Sequence, residues 1–267
     1  MLIDKLLLFA AHHDDEVISC AGTIKKLTDQ GVEVVVVFAT DGSTGVDHTN
    51  NFRENIVETR INESKKVAKF LGINKTIDWQ VECQKFKNNS TNLHKAIKVI
   101  REEKPCLIIT HDKSEKHRDH VSLSNIVREA SWKASEDIMP ELGVPYRVPD
   151  LWAFEVVDQL DRVDFCVDIT DYIHIKLEAL FTSSSLRHKY FISEISKLIS
   201  PDLIVIEKKP ELSFFDKEEK YFLEKINKEV IDNKKLIIVK KGMINSRQVE
   251  KAIDDKDIDF IFVFGTS

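Results

Sequence analysis

The chain has 267 residues, 42% of them hydrophobic and 31% charged, with a formal net charge of −6, so it can bury one substantial core and part of a second. This acidic balance, with scattered lysines and arginines, argues against nucleic acid as a partner, because a nucleic-acid backbone requires a basic face. No stretch reaches the roughly 20 apolar residues of a membrane span, and the first apolar run is too short for a signal peptide. The four cysteines lack a Cys-x-x-Cys spacing. These three observations together predict a cytoplasmic protein.

Apolar runs alternate with helical patterns along the first 200 residues. The runs are continuous, which is typical of strands covered on both faces in a parallel sheet. The predicted strands occupy residues 6–11, 32–39, 76–81, 106–110, 151–157 and 162–168. The predicted helices occupy residues 17–30, 56–70, 93–103, 121–134 and 171–195. This order predicts an α/β fold, a Rossmann-like, mostly parallel sheet flanked by helices, with right-handed crossovers.

Two connections in this part of the chain carry specific expectations. The strands at 151–157 and 162–168 are predicted to pair with each other around a turn at 159–161. The stretch from Met139 to Pro149 contains three prolines and a glycine, which predicts an irregular loop. We expect this loop to lie near the substrate mouth.

Residues 201–267 form a second, smaller α/β segment after the predicted domain 1–200. Its predicted strands and helices occupy residues 201–206, 217–230, 236–239, 246–252 and 260–264. The stretch from Gly242 to Thr266 is loosely similar to the start of formyltransferase domains, so we interpret the segment as the truncated start of a fused formyltransferase domain. A cut-off unit of this kind would expose apolar surface that a second copy could cover, which admits a homo-oligomer.

Five consecutive ionisable residues, His12 to Glu16, lie between the first predicted strand and the first helix. Such groups are costly to bury unless they are paired or bind a metal, and ligands dock at the carboxyl ends of strands in α/β sheets. A solvated helix N-terminus would explain Glu16 alone. A plain turn would use Gly, Pro, Asn or Ser instead, so the cluster indicates a functional site.

A second cluster follows the fourth predicted strand. His111 and Asp112 come first, and His117, Asp119 and His120 follow after a short polar loop. Because the carboxyl ends of parallel strands meet at one edge of a sheet, this cluster is placed at the same edge as the first. Two groups of histidines and carboxylates therefore point to one site.

The residue types in the two clusters suit a metal. A zinc site that performs chemistry requires about three nitrogen or oxygen ligands and an open position for water. His12, Asp15 and His120 can supply that set, which leaves Asp14 beside the metal as a base and His117 facing the substrate oxygen. Iron(II) or another divalent metal would fit the same three ligands.

The two clusters resemble the motifs of the PIG-L/LmbE-like zinc-dependent de-N-acetylases, which carry His-Pro-Asp-Asp-Glu after the first strand and His-x-Asp-His later. The resemblance extends from near the N-terminus to about residue 195. It implies that His12, Asp15 and His120 bind zinc. It also implies that Asp14 is the general base that activates the attacking water.

The same resemblance implies roles for four further residues. His117 would stabilise the oxyanion and help to protonate the leaving amine, with Asp119 orienting His117. Asp41, which follows the second strand, and Arg60, in an Arg-x-x-Glu pattern, match further positions of the family and are expected to bind substrate.

The chain departs from the family pattern at two places. His13 replaces the usual proline, which removes a fixed φ angle and adds an imidazole that could be a spare ligand or a substrate contact. We interpret His13 as a structural replacement, because the neighbour of a ligand normally points away from the metal. Ser183 to Leu186 replace the usual His-x-Ser-Gln, which bears on the substrate range rather than on the metal set.

The predicted function is that of a metal-dependent amidohydrolase, which removes the N-acetyl group from an acetamido sugar by attack of water on the amide. The expected partner is a small N-acetylated sugar or sugar conjugate, nucleotide-linked if the formyltransferase similarity holds. One alternative is a phosphoester hydrolase with two metals, which would need Asp41 or Asp112 as further ligands. The other is a non-catalytic sugar- or nucleotide-binding module on the same fold.

Overall fold

The computed structural model describes residues 3–44, 56–157, 164–183 and 261–266. Several predicted features lie outside the described residues: the strands and helices at 201–206, 217–230, 236–239 and 246–252, the end of the long helix at 184–195, and Ser184 to Leu186. The division of the chain at residue 200 and the formyltransferase similarity therefore stay predictions. Among the described helices, none is long and apolar enough to cross a membrane.

In the described part of the chain, seven strands form one sheet in the order β3-β2-β1-β4-β5-β7-β6. They are β1 (Lys5–Ala10), β2 (Glu33–Thr40), β3 (Lys75–Val81), β4 (Leu107–His111), β5 (Asp150–Phe154), β6 (Phe165–Asp168) and β7 (Ile261–Thr266). The first five strands pair in parallel, and β7 pairs antiparallel with both β5 and β6. The predicted α/β class with a mostly parallel sheet is confirmed.

Helices cover both faces of this sheet. They are α1 (Asp15–Asp29), α2 (Ile56–Leu71), α3 (Ser90–Glu103), α4 (Arg118–Ala134) and α5 (Ile173–Thr182). Successive residues of a strand point to opposite faces, so Leu6 and Leu8 of β1 join the core under α1, α2 and α5, whereas Leu7 and Phe9 join the core under α3 and α4. All four side chains are fully buried, which explains why the strand is apolar at every position.

The strand order reverses between β1 and β4, because the chain leaves β1 for β2 and β3 on one side and returns to β4 on the other. Crevices at the carboxyl ends of strands on either side of such a reversal are the usual ligand sites of α/β sheets. The two ionisable clusters of the sequence directly follow β1 and β4. The fold therefore brings both clusters to the same crevice.

The predicted pairing of the strands at 151–157 and 162–168 is wrong. β7 lies between β5 and β6, and Phe154 of β5 and Phe165 of β6 both pair with Phe264. The local pattern identified the two strands correctly. It could not show that a strand about a hundred residues later separates them.

The loop from Met139 to Pro149 lies at the opposite edge of the sheet from the predicted substrate mouth. Asp150, which follows the loop, pairs with Leu107 at the start of β4, not at its end. The Tyr146 hydroxyl donates a hydrogen bond to the Pro105 carbonyl, 3.0 Å away, which holds the loop against the start of the same strand. The irregular backbone was predicted correctly and its position was not.

Candidate metal centre

Donor atoms of three residues from the two clusters form a compact triangle, to which Asp15 contributes both carboxylate oxygens. The distances are 3.1 Å from His12 Nδ1 to His120 Nε2, 3.3 Å from His12 Nδ1 to Asp15 Oδ2, and 3.4 Å from His120 Nε2 to Asp15 Oδ1. Ligands about 2.0–2.1 Å from a tetrahedral zinc ion lie roughly 3.3–3.4 Å from one another. The triangle therefore has the size of one face of a metal coordination shell, and all three residues are buried.

Each histidine of the triangle contacts a second carboxylate through its other ring nitrogen. His12 Nε2 lies 3.3 Å from Asp119 Oδ2, and His120 Nδ1 lies 3.3 Å from Glu115 Oε2. Histidine ligands commonly donate their remote N–H to a carboxylate, which fixes the ring and leaves the other nitrogen free to bind a metal. Both rings are held in this way toward the centre of the triangle.

The charges around the triangle favour a cation at its centre. Burial would lower the pKa of His120, but Asp15 and the contact with Glu115 raise it to about 9. Burial likewise opposes protonation of His12, yet Asp15 and Asp119 hold the pKa of His12 well above its ordinary value. Carboxylate and imidazole are ligands that suit zinc, iron and similar divalent metals. The residues present therefore fit a divalent metal ion.

Two other histidines bring nitrogen atoms within 4.8 Å of these donors, but their nitrogens have other partners. His111 Nε2 accepts the Ala11 backbone N–H at 3.0 Å, and burial lowers the pKa of His111 to about 4, so the ring is neutral. It stacks on His120 at a ring-centroid distance of 4.0 Å and thereby packs against that ligand candidate. His117 Nδ1 accepts the backbone N–H of Asp119 at 3.3 Å, and its Nε2 lies 2.8 Å from the amide nitrogen of Gln84.

Asp119 contacts two histidines of the site, one through its side chain and one through its backbone. The carboxylate lies against His12, and only the backbone N–H of Asp119 reaches the His117 ring. This arrangement follows from the position of His117 as the N-cap of α4, where a side-chain acceptor takes a backbone N–H of the first turn. Asp119 thus orients a candidate ligand through its side chain and His117 through its backbone.

Asp14 and Arg60 meet at the rim of the centre. Asp14 is the N-cap residue of α1, and its side chain is 13% exposed, which leaves it open to the crevice. Arg60 Nη1 lies 3.6 Å from Asp14 Oδ2. Gly42 makes room for Arg60, since a Cβ atom there would lie 2.9 Å from Arg60 Cδ. The structure therefore brings Arg60 to the predicted base.

Asp41 has a structural task in the same region. Its Oδ1 atom accepts the backbone N–H groups of Ser43 and Cys83, each at 3.0 Å. This carboxylate oxygen ties the loop after β2 to the loop after β3. The predicted role of Asp41 in substrate binding stays a prediction.

His13 points away from the centre. Its Nδ1 lies 2.9 Å from Ser64 Oγ, its Nε2 lies 2.9 Å from Asp78 Oδ1, and its ring stacks on Phe38 at 4.2 Å. Both nitrogens face residues of α2 and β3, so they are not directed at the metal triangle. This agrees with its interpretation as a structural replacement for proline.

Sequence reasoning missed three residues that line or support the site: Cys83, Gln84 and Glu115. Cys83 Sγ lies 3.7 Å from Asp119 Oδ2, and the Gln84 backbone N–H donates to the same oxygen at 2.7 Å. Both belong to the loop after β3, which carries no recognisable motif. Glu115 is a single acid in a polar loop, and only its spacing of five residues before His120 could have drawn attention to it.

The fold and the cluster together define an α/β protein with a site for a divalent metal at the carboxyl edge of its sheet. The profile of the PIG-L family, described as GlcNAc-PI de-N-acetylase, matches residues 7–131. The diacetylchitobiose deacetylase of Thermococcus kodakarensis is 30% identical over 195 residues, which cover 68% of this chain and 70% of that protein. The chain belongs to the PIG-L family of metal-dependent de-N-acetylases, which confirms the predicted family and enzyme class.

Two further comparisons separate fold from chemistry. The N,N'-diacetylchitobiose deacetylase of Pyrococcus horikoshii superposes with a TM-score of 0.66 and 25% identity, covering 73% of this chain and 75% of that one. The 4-carboxy-2-hydroxymuconate hydratase of Pseudomonas putida superposes with a TM-score of 0.60 at 17% identity, covering 74% of this chain and 91% of that one. The second likeness concerns the fold alone. The chemistry of this chain therefore has to be argued from its site and its relatives in sequence.

Proposed function

We propose that this protein hydrolyses the acetamido group of an N-acetylated amino sugar, with zinc held by His12, Asp15 and His120. The observation that carries the proposal is the triangle of donor atoms, which lie 3.1–3.4 Å apart. A further carboxylate orients each of its two imidazoles. The names of the relatives support the substrate class. They include deacetylases of diacetylchitobiose and of a 2-acetamido-2-deoxy-glucopyranoside of myo-inositol.

When bound, a divalent metal supplies Lewis acidity, which lowers the pKa of water and polarises an amide carbonyl. Asp14, at the open rim, accepts a proton from the attacking water as the new C–O bond forms. Arg60, 3.6 Å from Asp14, holds the carboxylate at the rim. General bases of this kind contribute roughly 10²- to 10⁴-fold to the rate.

His117 acts on the other side of the reacting carbonyl. Burial lowers its pKa, and the neighbouring His12 and His120 lower it further, so the ring is neutral near pH 7. Its Nδ1 accepts the Asp119 backbone N–H, which places the ring proton on Nε2. That N–H donates to the developing oxyanion, the C–N bond then breaks, and the proton taken from water goes to the leaving amine, giving acetate and a free amino sugar.

Several finer points belong to this proposal. The preferred metal is zinc, although the donor set also fits iron(II). The location is the cytoplasm, the substrate is nucleotide-linked if residues 201–267 begin a formyltransferase domain, and homo-oligomers form if that segment exposes apolar surface. Sedimentation of the full chain tests the oligomeric state. Comparison of nucleotide-linked with free N-acetyl sugars as substrates tests the nucleotide linkage.

The first test is the metal content of protein purified without chelator. We expect about one zinc or iron per chain in the wild type and a clear loss in His120→Ala. His174→Ala, at an exposed position of α5, is the matched control and should retain the metal. A wild-type protein that takes up no metal even from added zinc would overturn the ligand set.

Acetate release from N-acetylglucosamine, diacetylchitobiose and nucleotide-linked N-acetyl sugars is measured next. Release that depends on the metal and is lost in Asp14→Asn supports the proposal. Metal-loaded protein that binds these sugars and releases no acetate from any of them would instead favour a binding module.

A further inference from the structure

Gln84 is an exposed residue whose side chain lies over the proposed oxyanion donor. Its amide nitrogen is 2.8 Å from His117 Nε2. Its backbone is left-handed, with φ +69°, and its backbone N–H donates to Asp119 Oδ2 at 2.7 Å. The backbone of the residue is thus fixed at the site by a buried carboxylate, whereas the side chain extends to Nε2 of His117.

The position of the proton on the His117 ring decides which end of the Gln84 carboxamide faces that ring. Nδ1 of His117 accepts the Asp119 backbone N–H, so it carries no proton of its own and the ring proton lies on Nε2. An N–H of Gln84 cannot donate to that nitrogen. The oxygen and nitrogen of a glutamine amide are interchangeable by a flip about its last torsion angle. The favourable contact is therefore Nε2–H of His117 donating to the carboxamide oxygen of Gln84.

We propose that Gln84 places its own carboxamide where the acetamido group of the substrate binds, and that substrate displaces it. This inference rests on the proposed function. The two groups are chemically alike, because each is a planar amide whose carbonyl oxygen accepts one hydrogen bond. His117 offers a single N–H at Nε2, so it holds one carbonyl oxygen at a time.

The structure allows the exchange at little cost to the rest of the site. The exposed side chain of Gln84 can turn into solvent, while its backbone N–H keeps its hydrogen bond with Asp119 and so leaves His12 oriented. Substrate then exchanges one amide hydrogen bond for another at His117 and gains no net bond there. Gln84 accordingly sets the affinity for the acetamido group, and its removal should tighten binding.

Gln84→Gly is the informative variant, because glycine accepts the left-handed backbone, keeps the N–H for Asp119 and removes only the carboxamide. Gln80→Gly is the matched control. Gln80 is also an exposed glutamine with a left-handed backbone, φ +52°, and it lies near the end of β3, before Gln84 in the chain. We expect KM for the N-acetyl sugar to fall about fivefold in Gln84→Gly, the equivalent of one net hydrogen bond. The kcat of this variant should stay within about twofold of the wild type. KM should stay unchanged in Gln80→Gly. An unchanged or higher KM in Gln84→Gly would overturn the inference.

A second readout does not depend on activity. In protein labelled with ¹⁵N-histidine, the Nε2 proton of His117, assigned by its loss in His117→Ala, should exchange with water more slowly in the wild type and in Gln80→Gly than in Gln84→Gly. Acetamide, used as the probe, should perturb this resonance at lower concentration in Gln84→Gly. If the protein releases no acetate but acetamide binds in this way, the proposed function fails and the carboxamide position stands. If acetamide does not perturb His117 in any variant, the inference fails whatever the activity.

Discussion

The Glu115 carboxylate lies 3.3 Å from His120 Nδ1 and at the same time accepts the backbone N–H groups of Val156 and Val157. Burial raises the pKa of Glu115, but the hydrogen bonds from His120 and from the backbone lower it below its ordinary value, so the group is ionised near neutral pH. One carboxylate therefore fixes a candidate metal ligand and joins the loop after β4 to the end of β5.

We predict that Glu115→Gln lowers the metal affinity by about 10- to 100-fold, the usual effect of removing a carboxylate that orients a histidine ligand. The amide can still fill the space, but it accepts the His120 N–H less strongly. Competition with a chromophoric chelator measures the affinity. Glu129→Gln, at a partly exposed position of α4, is the control. Equal affinities in Glu115→Gln and wild type would show that His120 needs no such support.

Metal binding should release protons and strengthen as the pH rises. The pKa of His120 is raised to about 9, so its ring is protonated at pH 7 in the metal-free protein, and the pKa of His12 is also raised well above its ordinary value. A metal must displace each ring proton, and each one makes the affinity rise about tenfold per pH unit until the pH exceeds the pKa of the ring. Calorimetric titration with zinc in buffers of different ionisation enthalpy counts the released protons. A proton count of zero at pH 7 would contradict the raised pKa of His120.

Asp14→Asn should abolish most of the turnover and leave the metal in place. Asparagine keeps the shape of the side chain but cannot accept the proton of the attacking water, so we expect kcat to fall by about 10²- to 10⁴-fold. Metal content and kcat are measured on the same preparation. Asp137→Asn, at an exposed position remote from the crevice, should behave as wild type. A loss of metal in Asp14→Asn would instead identify Asp14 as a ligand.

Gly42→Ala should impair the enzyme through Arg60. Gly42 has φ +66°, and an added Cβ would lie 2.9 Å from Arg60 Cδ, so the Arg60 side chain must shift from its position beside Asp14. Gly31→Ala is a matched control, because Gly31 has φ +83° and no atom within 4 Å of the added Cβ. Both variants should lose about 1 kcal/mol of stability from the left-handed backbone, as denaturant unfolding would show. Only Gly42→Ala should lose activity, and equal activities in the two variants would remove Arg60 from the mechanism.

The sequence predicted best what depends on local pattern. The continuous apolar run at 6–11 predicted a strand buried on both faces, and the ionisable residues after β1 and β4 predicted the residues that meet in the crevice. The positions of these ionisable residues follow from where β1 and β4 end, and the local sequence pattern shows where a strand ends. The resemblance to a known family then supplied their roles.

The features that the sequence did not predict depend on distant pairing or on the direction of one side chain. β7 separates β5 from β6 although it lies about a hundred residues further along the chain. The Asp119 carboxylate contacts His12 rather than His117 because helix capping occupies the nearer ring. Gln84 reaches the site from a loop whose composition is ordinary, so only the three-dimensional structure could associate it with His117.

The donor triangle joins two parts of the chain that are more than a hundred residues apart: His12 and Asp15 follow β1, and His120 follows β4. During synthesis, a chain that ends before residue 120 has two of the three donors and no complete site. High-affinity coordination can therefore begin only after β4 has docked beside β1. Along the chain, α1, β2, α2, β3 and α3 lie between these two strands. Metal uptake becomes a late event of folding that reports correct assembly of the central strands. An ion bound there would act as a cross-link between the segment after β1 and the segment after β4.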